Sequence, residues 1–442
     1  MRRNILTLLL ALLTLGAIAQ DGINMPYSQY GFGLGNLPYN NPLAASMGGS
    51  VITLAGNNFV NPYNPASYGS IETESFVFDM GFTFGITSLQ DPSTTFTDGD
   101  GQLGYLSVGF PLTKWWKTAL ALVPLSDINY QSTSSDSLAG IPGGQVQTIY
   151  GGTGGVSRLL WGHAFNIIPN RLSIGVNANY YYGYLNRDIS YLFSTGDTSV
   201  QYMNVTRQKL TMVKNFTFDM GLQYFQPLGK DYTFGMGLTV STPQDLRVTD
   251  NALVRTFEVL TGSYYYCDTI FPASGESPEY ESTMQLPLQV GIGLSLQKDN
   301  AWRIALDGSY GQWSGVKYQD ANNLFGATAV DFGTNLKCNL GFQLIGDPGA
   351  THYLGRITYS AGVHYESGKL RLSLPQYGSA YCLNEWGCGV GATLPMRKGR
   401  SLLTLSASYS NFGTPDLLRQ STLLFGISVS TSESWFVKRK YN

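Results

Sequence analysis

From Glu74 onward, polar and apolar residues alternate with a period of two. Successive side chains of a β-strand point to opposite faces, so this pattern makes strands that separate two environments. Leu423, Phe425, Ile427 and Val429 share one parity, and Gly426, Ser428, Ser430 and Ser432 share the other. Leu403, Leu405, Ala407 and Tyr409 alternate the same way with Thr404, Ser406, Ser408 and Ser410, as do Leu286 to Leu296 with Gln289, Gly291, Gly293 and Ser295. A soluble β-sandwich also alternates, but its wet face carries Lys and Glu. Here the polar face is Gly, Ser, Thr, Asn and Gln, and charged residues make up only 13% of the chain, beside 52 Gly and 29 Tyr. Lipid on one side and a crowded lumen on the other account for this composition, which points to an all-β transmembrane barrel.

The start of the chain explains how such a barrel reaches a membrane. Met1-Arg2-Arg3-Asn4 is a short basic segment, Ile5 to Leu15 is apolar but too short to span a bilayer, and Ala17-Ile18-Ala19 is an A-x-A cleavage site. Residues 1–19 therefore read as a signal peptide, with Gln20 as the expected mature start. Beyond it no run of roughly 18 apolar residues occurs, so entry into a membrane requires a closed barrel. The expected location is the bacterial outer membrane. The net charge of −2 gives no reason to expect a nucleic-acid partner. Of the four Cys, Cys338 and Cys388 fall at lipid-facing parity, where Cys is a small apolar residue. Cys267 and Cys382 fall in expected loops, where a disulfide between them is one possibility.

Residues 20–73 read as a plug and 74–442 as the barrel. The plug segment is irregular, with a short helix expected around Leu43 to Met47 and a polar, proline-broken stretch, Asn57 to Ser67. A disordered tail is the alternative, but the aromatic and apolar residues here would be awkward in water. Strands are expected near 74–88, 102–112, 117–130, 153–168, 171–193, 214–228, 231–246, 285–297, 301–313, 330–345, 355–367, 387–396, 400–412 and 421–436. About 14 strands is an even number, as a bacterial barrel requires. Short connections (Thr113–Trp116, Pro169-Asn170, Gly229-Lys230, Lys298–Asn300, Gly346–Leu354, Arg397–Gly399) alternate with long ones at 131–152, 194–213, 247–284, 314–329 and 368–386. Short turns belong in the periplasm and long loops outside. Trp115, Trp116, Trp302, Trp435 and Phe436 then form the inner aromatic girdle, and Trp313 and Tyr184 belong to the outer one.

Few residues invite a chemical role. Pro124 lies inside the third expected strand, where proline cannot donate to the ladder. It marks either a kink that opens the wall or an early strand end. Asp79, Asp219, Arg303, Asp307, Lys337, His364 and Glu366 have lumen parity, and buried charges need partners, so they read as lumen ion pairs or plug contacts. Asp79 and Asp219 sit in near-identical settings, Phe78-Asp79-Met80-Gly81 and Phe218-Asp219-Met220-Gly221, as a plug-anchoring pair or by coincidence. Enzymatic readings are weak. The three His (His163, His352, His364) lie in no nucleophile motif, and no G-x-S-x-G elbow occurs. Gly151 to Gly155 is Gly-rich without a following helix, so it does not read as a phosphate cradle. No cofactor and no metal are expected.

The signal peptide, the plug with Asn64-Pro65-Ala66 and the 14-strand pattern resemble the long-chain fatty-acid transporter family (FadL, OmpP1, TodX), whose plug carries an Asn-Pro-Ala motif. The lead-in Pro26-Tyr27-Ser28-Gln29-Tyr30-Gly31-Phe32-Gly33 and the ending Glu433 to Lys440 resemble its Bacteroidota branch. The resemblance implies a hydrophobic, fatty-acid-like small molecule taken up passively, a plug that shifts, and lateral release into membrane lipid through a kinked strand, for which Pro124 is the match. It departs in one respect. No apolar-plus-basic site for a carboxylate stands out, with Arg247, Arg255 and Lys317 as loop candidates only. The branch also includes partners in protein secretion. The second expectation is therefore a non-transporting barrel that scaffolds or shuttles for a secretion or outer-membrane assembly machine, with Tyr264-Tyr265-Tyr266 as a docking surface within an outer-membrane protein complex.

Overall fold

The computed structural model describes residues 25–30, 33, 39–138, 141, 143–194, 202–260, 263–314, 318–319, 330–374, 379–396 and 400–434. The signal peptide, Trp435, Phe436 and Lys317 lie outside the described residues. Among the described residues, nineteen strand segments occur in order: β1 (Ser75–Gln90), β2 (Thr95–Pro111), β3 (Trp116–Ser137), β4 (Gln145–Ile168), β5 (Leu172–Ser194), β6 (Asn204–Leu228), β7 (Tyr232–Ser241), β8 (Gln244–Leu260), β9 (Ser263–Phe271), β10 (Glu279–Leu286), β11 (Gln289–Lys298), β12 (Trp302–Gln312), β13 (Tyr318–Gln319), β14 (Val330–Phe332), β15 (Thr334–Leu344), β16 (Thr358–Leu374), β17 (Ser379–Met396), β18 (Ser401–Gly413) and β19 (Arg419–Ser434).

They build one closed antiparallel barrel of 14 strands. β7 with β8 and β10 with β11 each form one broken wall strand, and β9, β13 and β14 are accessory. Closure is made by β1 and β19, which pair without interruption from Ser75↔Ser434 to Gln90↔Arg419. Closing β1 on β19 removes the two open ends that the sheet would otherwise present to hydrocarbon, as a membrane demands. The outer surface follows the expected parity: Phe425 and Ile427 are exposed while Ser428 and Ser430 are buried. Trp116 stacks with Trp115 and with Phe165 beside the β2–β3 turn, and Tyr232 meets Trp302 where β7 and β12 begin.

The structure departs from the expected strands in two ways. First, several expected loops are hairpin extensions. β3 and β4 run on to Ser137 and Gln145, and the 247–284 stretch holds most of β8, all of β9 and most of β10. These hairpins keep their ladders. Gln131 to Ser137 of β3 and Ser263 to Ile270 of β9 are exposed on both faces, so the alternation that marks a strand in sequence is missing there, whereas β8 buries Leu246, Val248, Asp250, Ala252 and Val254 on one face. Second, the expected strands 231–246 and 285–297 are each interrupted, at Thr242-Pro243 and at Pro287-Leu288. Proline has no N–H to donate, and the ladder stops there. Cys267 and Cys382 are both free thiols, so the disulfide considered for them does not form.

The plug occupies the lumen. Its helix α1 (Pro42–Ser46) packs on β16, β17, β18 and β19, and Asn41 caps it by accepting from Leu43 N and Ala44 N at 3.0 and 3.2 Å. The lumen face is rich in glycine because plug backbone lies directly on wall backbone. A Cβ at Gly362 would overlap Met47 and Gly48, one at Gly389 would overlap Ala45 O, and one at Gly175 would overlap Pro65 and Ala66. We expect Gly362→Val to unseat the plug, at a cost of about 1–3 kcal/mol for overpacking. A Cβ at Gly308 meets nothing within 4 Å, so Gly308→Ala is expected to be silent. Comparing their urea midpoints and the protease sensitivity of the plug tests this.

Candidate functional site: a clamped plug and an interrupted wall

The plug is held by its own backbone. Asp307 Oδ2 accepts from Val51 N at 2.6 Å and Ile52 N at 2.8 Å, and Arg303 donates to Thr53 O. Asn339 donates to Gly49 O at 3.0 Å and Gln223 to Ile52 O at 2.8 Å. A peptide group inside a barrel cannot reach water freely, and leaving it unpaired is costly. The Asn-Pro-Ala motif works within the same scheme. Asn64 Nδ2 donates to Ile52 O at 2.7 Å, and its Oδ1 accepts from Ala66 N at 3.1 Å. It thus caps the 3₁₀ turn Pro65–Ser70 and pins two plug segments together. Pro65 and Ala66 bring that turn against Gly175, and Asn64 and Pro65 lie against Gly221.

The remaining lumen charges sort into four arrangements. Asp219 pairs with Arg158 at 3.3 Å and also accepts from Asn179 at 2.8 Å. Lys337 pairs with Glu366 at 3.1 Å, and its ammonium lies 4.6 Å from the Tyr39 ring centroid. His364 stacks on Tyr39 and faces Glu385 at 3.7 Å. Asp79 accepts from Tyr105 Oη at 2.6 Å and from the plug's Val60 N at 3.4 Å. Despite their matching sequence settings, Asp79 touches the plug backbone while Asp219 serves an ion pair. Sequence reasoning missed Arg158, Asn177, Asn179, Gln223 and Asn339. Lumen parity alone could have marked them, but neutral amides look unremarkable on a polar face.

Two cavities flank the plug. One of about 650 Å³ is lined by Leu43, Leu54, Phe59, Arg303, Tyr353 and Leu402, on the side of the short turns. The other, of about 340 Å³, is lined by Arg158, Asp219, Asp307 and Lys337 among others. Val51 and Tyr63 border both, so they partition the lumen. Burial raises the phenol pKa of the plug residues Tyr63 and Tyr68 above its ordinary value of 10.0, keeping both neutral.

The wall is incomplete beside this plug. β2 pairs with β3 only from Leu106↔Leu122 to Pro111↔Lys117. β3 continues to Ser137 paired with β4 alone, and β2 continues back to Thr95 paired with β1 alone. The separation starts beside Pro124, where the register of β3 against β4 shifts between Pro124 and Ser126 and Leu125 bulges out. The start of the plug lies on the freed flanks. Met25 N donates to Asn129 O at 2.6 Å, Ser28 Oγ accepts from Asn129 N at 3.3 Å, and Asn40 O lies against Gly104 of β2. The loop candidates stand elsewhere. Arg255 donates to Gln208 and covers the Tyr266 ring at 3.7 Å, and Arg247 pairs within the β8–β10 ladder opposite Thr283.

A family model described as BamG matches residues 1–442. The chain belongs to the BamG family. Among curated proteins none matches it. Solved structures share its architecture. A Pseudomonas aeruginosa FadL homologue superposes with a TM-score of 0.55 at 12% identity, over 89% of this chain and 98% of that one. The CymD monoaromatic hydrocarbon channel gives 0.53 at 15% identity, over 90% and 99%. The Ralstonia pickettii toluene transporter TbuX gives 0.53 at 11% identity, over 88% and 97%. This BamG-family chain therefore has the fold of FadL-like bacterial outer-membrane channels.

Two tests address the clamp. Asp307→Ala leaves two buried plug amides without an acceptor and is expected to cost about 3 kcal/mol, read as a lower urea midpoint and faster proteolysis of the plug, with Asp307→Asn milder. The raised phenol pKa values of Tyr63 and Tyr68 stabilise the seated plug fully below pH 10, and this contribution is lost as pH rises above it, because only the released chain can ionise there. Absorbance titration of tyrosinate should show a late-ionising class that disappears once the plug is unseated.

Proposed function

We propose that this chain is an outer-membrane channel for passive uptake of small hydrophobic molecules, exported by a cleaved signal peptide and releasing its cargo sideways into membrane lipid. It carries out no reaction. The observation that carries this reading is the parting of β2 from β3 beside Pro124. An apolar molecule gains little by crossing to the aqueous periplasm. Leaving through the wall keeps it out of water, worth about 25 cal/mol per Å² of apolar surface. The two cavities separated by Val51 and Tyr63 supply a path that a shift of the plug would join. Segment Met25–Tyr30 on the β3 edge is placed to gate the exit. CymD is a monoaromatic hydrocarbon channel and TbuX a toluene transporter, which supports the same class of cargo.

A variant combining Pro124→Ala with deletion of Leu125 removes both the proline and the bulge. We expect it to zip β3 to β2 and to slow entry of the fluorescent probe N-phenylnaphthylamine across intact outer membranes roughly tenfold, as about 1.4 kcal/mol of added barrier would. Unchanged uptake by a folded variant would sink the lateral route.

One set of observations favours a second reading, a scaffold or shuttle subunit of an outer-membrane assembly or secretion machine. The lumen charges are largely paired, and among the described residues β9 pairs on one edge only, with β8, while Tyr264, Tyr265 and Tyr266 stand about half exposed. The family's designation, BamG, differs from those of the hydrocarbon channels. Mass spectrometry on gently extracted protein separates the readings. A stoichiometric protein partner that is lost when Tyr264, Tyr265 and Tyr266 become Ser would support the scaffold, and a bound apolar molecule without a partner would support the channel.

A further inference from the structure

The wall lapses a second time, far around the barrel from Pro124. β6 pairs with β8 up to Val213↔Val248 and with β7 from Asp219↔Ser241 onward. Between these, Lys214 to Phe218 keep their partners on β5 but, among the described residues, have no ladder partner on the other edge. The facing strands bend away together. β7 gives way to β8 at Thr242-Pro243, and β10 gives way to β11 at Pro287-Leu288, at matched heights, since Ser241 pairs with Gln289 and Gln244 with Leu286. Two prolines in register on adjacent strands remove ladder donors at one level of the wall. Asn215 reaches across to Arg247 O at 2.6 Å as a side-chain strut.

The 340 Å³ cavity ends at this break. Its lining joins plug residues Val51 and Ile52 and lumen residues Arg158 and Asp307 to Phe218 and Met220. Those last two have outward parity and are 51% and 56% exposed. Its lumen end is polar and incompletely satisfied. Asp307 Oδ1, Asn339 Oδ1, and Arg158 Nε and Nη2 are buried without a hydrogen-bond partner, on side chains of residues that are 2%, 6% and 8% exposed. Both cations of the lining are already neutralised, Arg158 by Asp219 and Lys337 by Glu366. The site therefore offers a donor and acceptors to a polar head but no spare positive charge for a carboxylate.

We propose that the β6–β7 break is a second lateral port that binds a neutral, hydroxyl-headed single-chain amphiphile, with its head in the lumen cavity and its chain against Phe218 and Met220. The β2–β3 route is not required for this site.

The test is photolabelling of the full-length protein in lipid nanodiscs with a twelve-carbon alcohol carrying a mid-chain diazirine, and with the matching carboxylate at pH 8, followed by peptide mapping. The alcohol should label residues 214–220 or 241–243. The carboxylate should label them roughly tenfold less, the discrimination expected when an ionised head meets no free cation. Ser241→Trp, which fills the cavity at the break, should abolish this labelling while keeping heat-modifiable migration on gels. The Pro124→Ala variant lacking Leu125 should leave the labelling intact even if it stops uptake. Labelling spread evenly over the lipid face, equal labelling by the carboxylate, or labelling unaffected by Ser241→Trp would each overturn the proposal.

Discussion

A backbone amide facing hydrocarbon has no water to bond to, and this molecule is organised by that fact. Closure of β1 on β19 over sixteen residue pairs removes the sheet edge that an open wall would expose. The same demand continues inward. The plug is largely irregular chain, so its peptide groups satisfy one another only in part. The wall supplies Asp307, Arg303, Gln223, Asn339 and Asp79 as their partners. Glycines on the lumen face then let the two backbones come close enough for those bonds to form.

Against this background, departures from closure are informative. The β2–β3 parting coincides with a proline and a bulged residue, and the freed edge of β3 is met by Met25 and Ser28 of the plug. The β6–β7 break coincides with Pro243 and Pro287. At both places the wall gives up ladder bonds where the cavity system or the plug lies directly behind it. A structure that needed only to be stable would pair those strands. Plug, cavity and wall break form one physical unit, in which moving Val51 and Tyr63 changes what the breaks communicate with.

Much of this was legible in advance. Parity identified the outward apolar face, and the count of 14 strands matches the wall. Asp307, Arg303, Lys337 and Glu366 were marked by lumen parity, and they are buried or nearly so. Arg158 went unmarked although it partners Asp219, because Arg158 lies on β4 and Asp219 on β6, two strands away. The hairpin extensions at β3–β4 and β8–β9 were read as loops, since the tip of β3 and all of β9 have water on both faces, and the buried face of β8 interrupts its apolar residues with Asp250. Pro124 stood out because proline is conspicuous inside an apolar run. Pro243 and Pro287 did not, since each lies near the end of an expected strand.

Alternation with period two and a polar face of small residues pointed, from sequence alone, to a chain that closes into a barrel around an irregular plug. These are local properties that every strand repeats, and lipid enforces them residue by residue. Which strands part company, what the plug bonds to and where the cavities end were decided only in three dimensions. Each depends on residues from distant strands meeting at one height, as Phe218, Ser241 and Leu286 do. Register between such strands is set by closure of the whole barrel, which no single stretch of sequence contains.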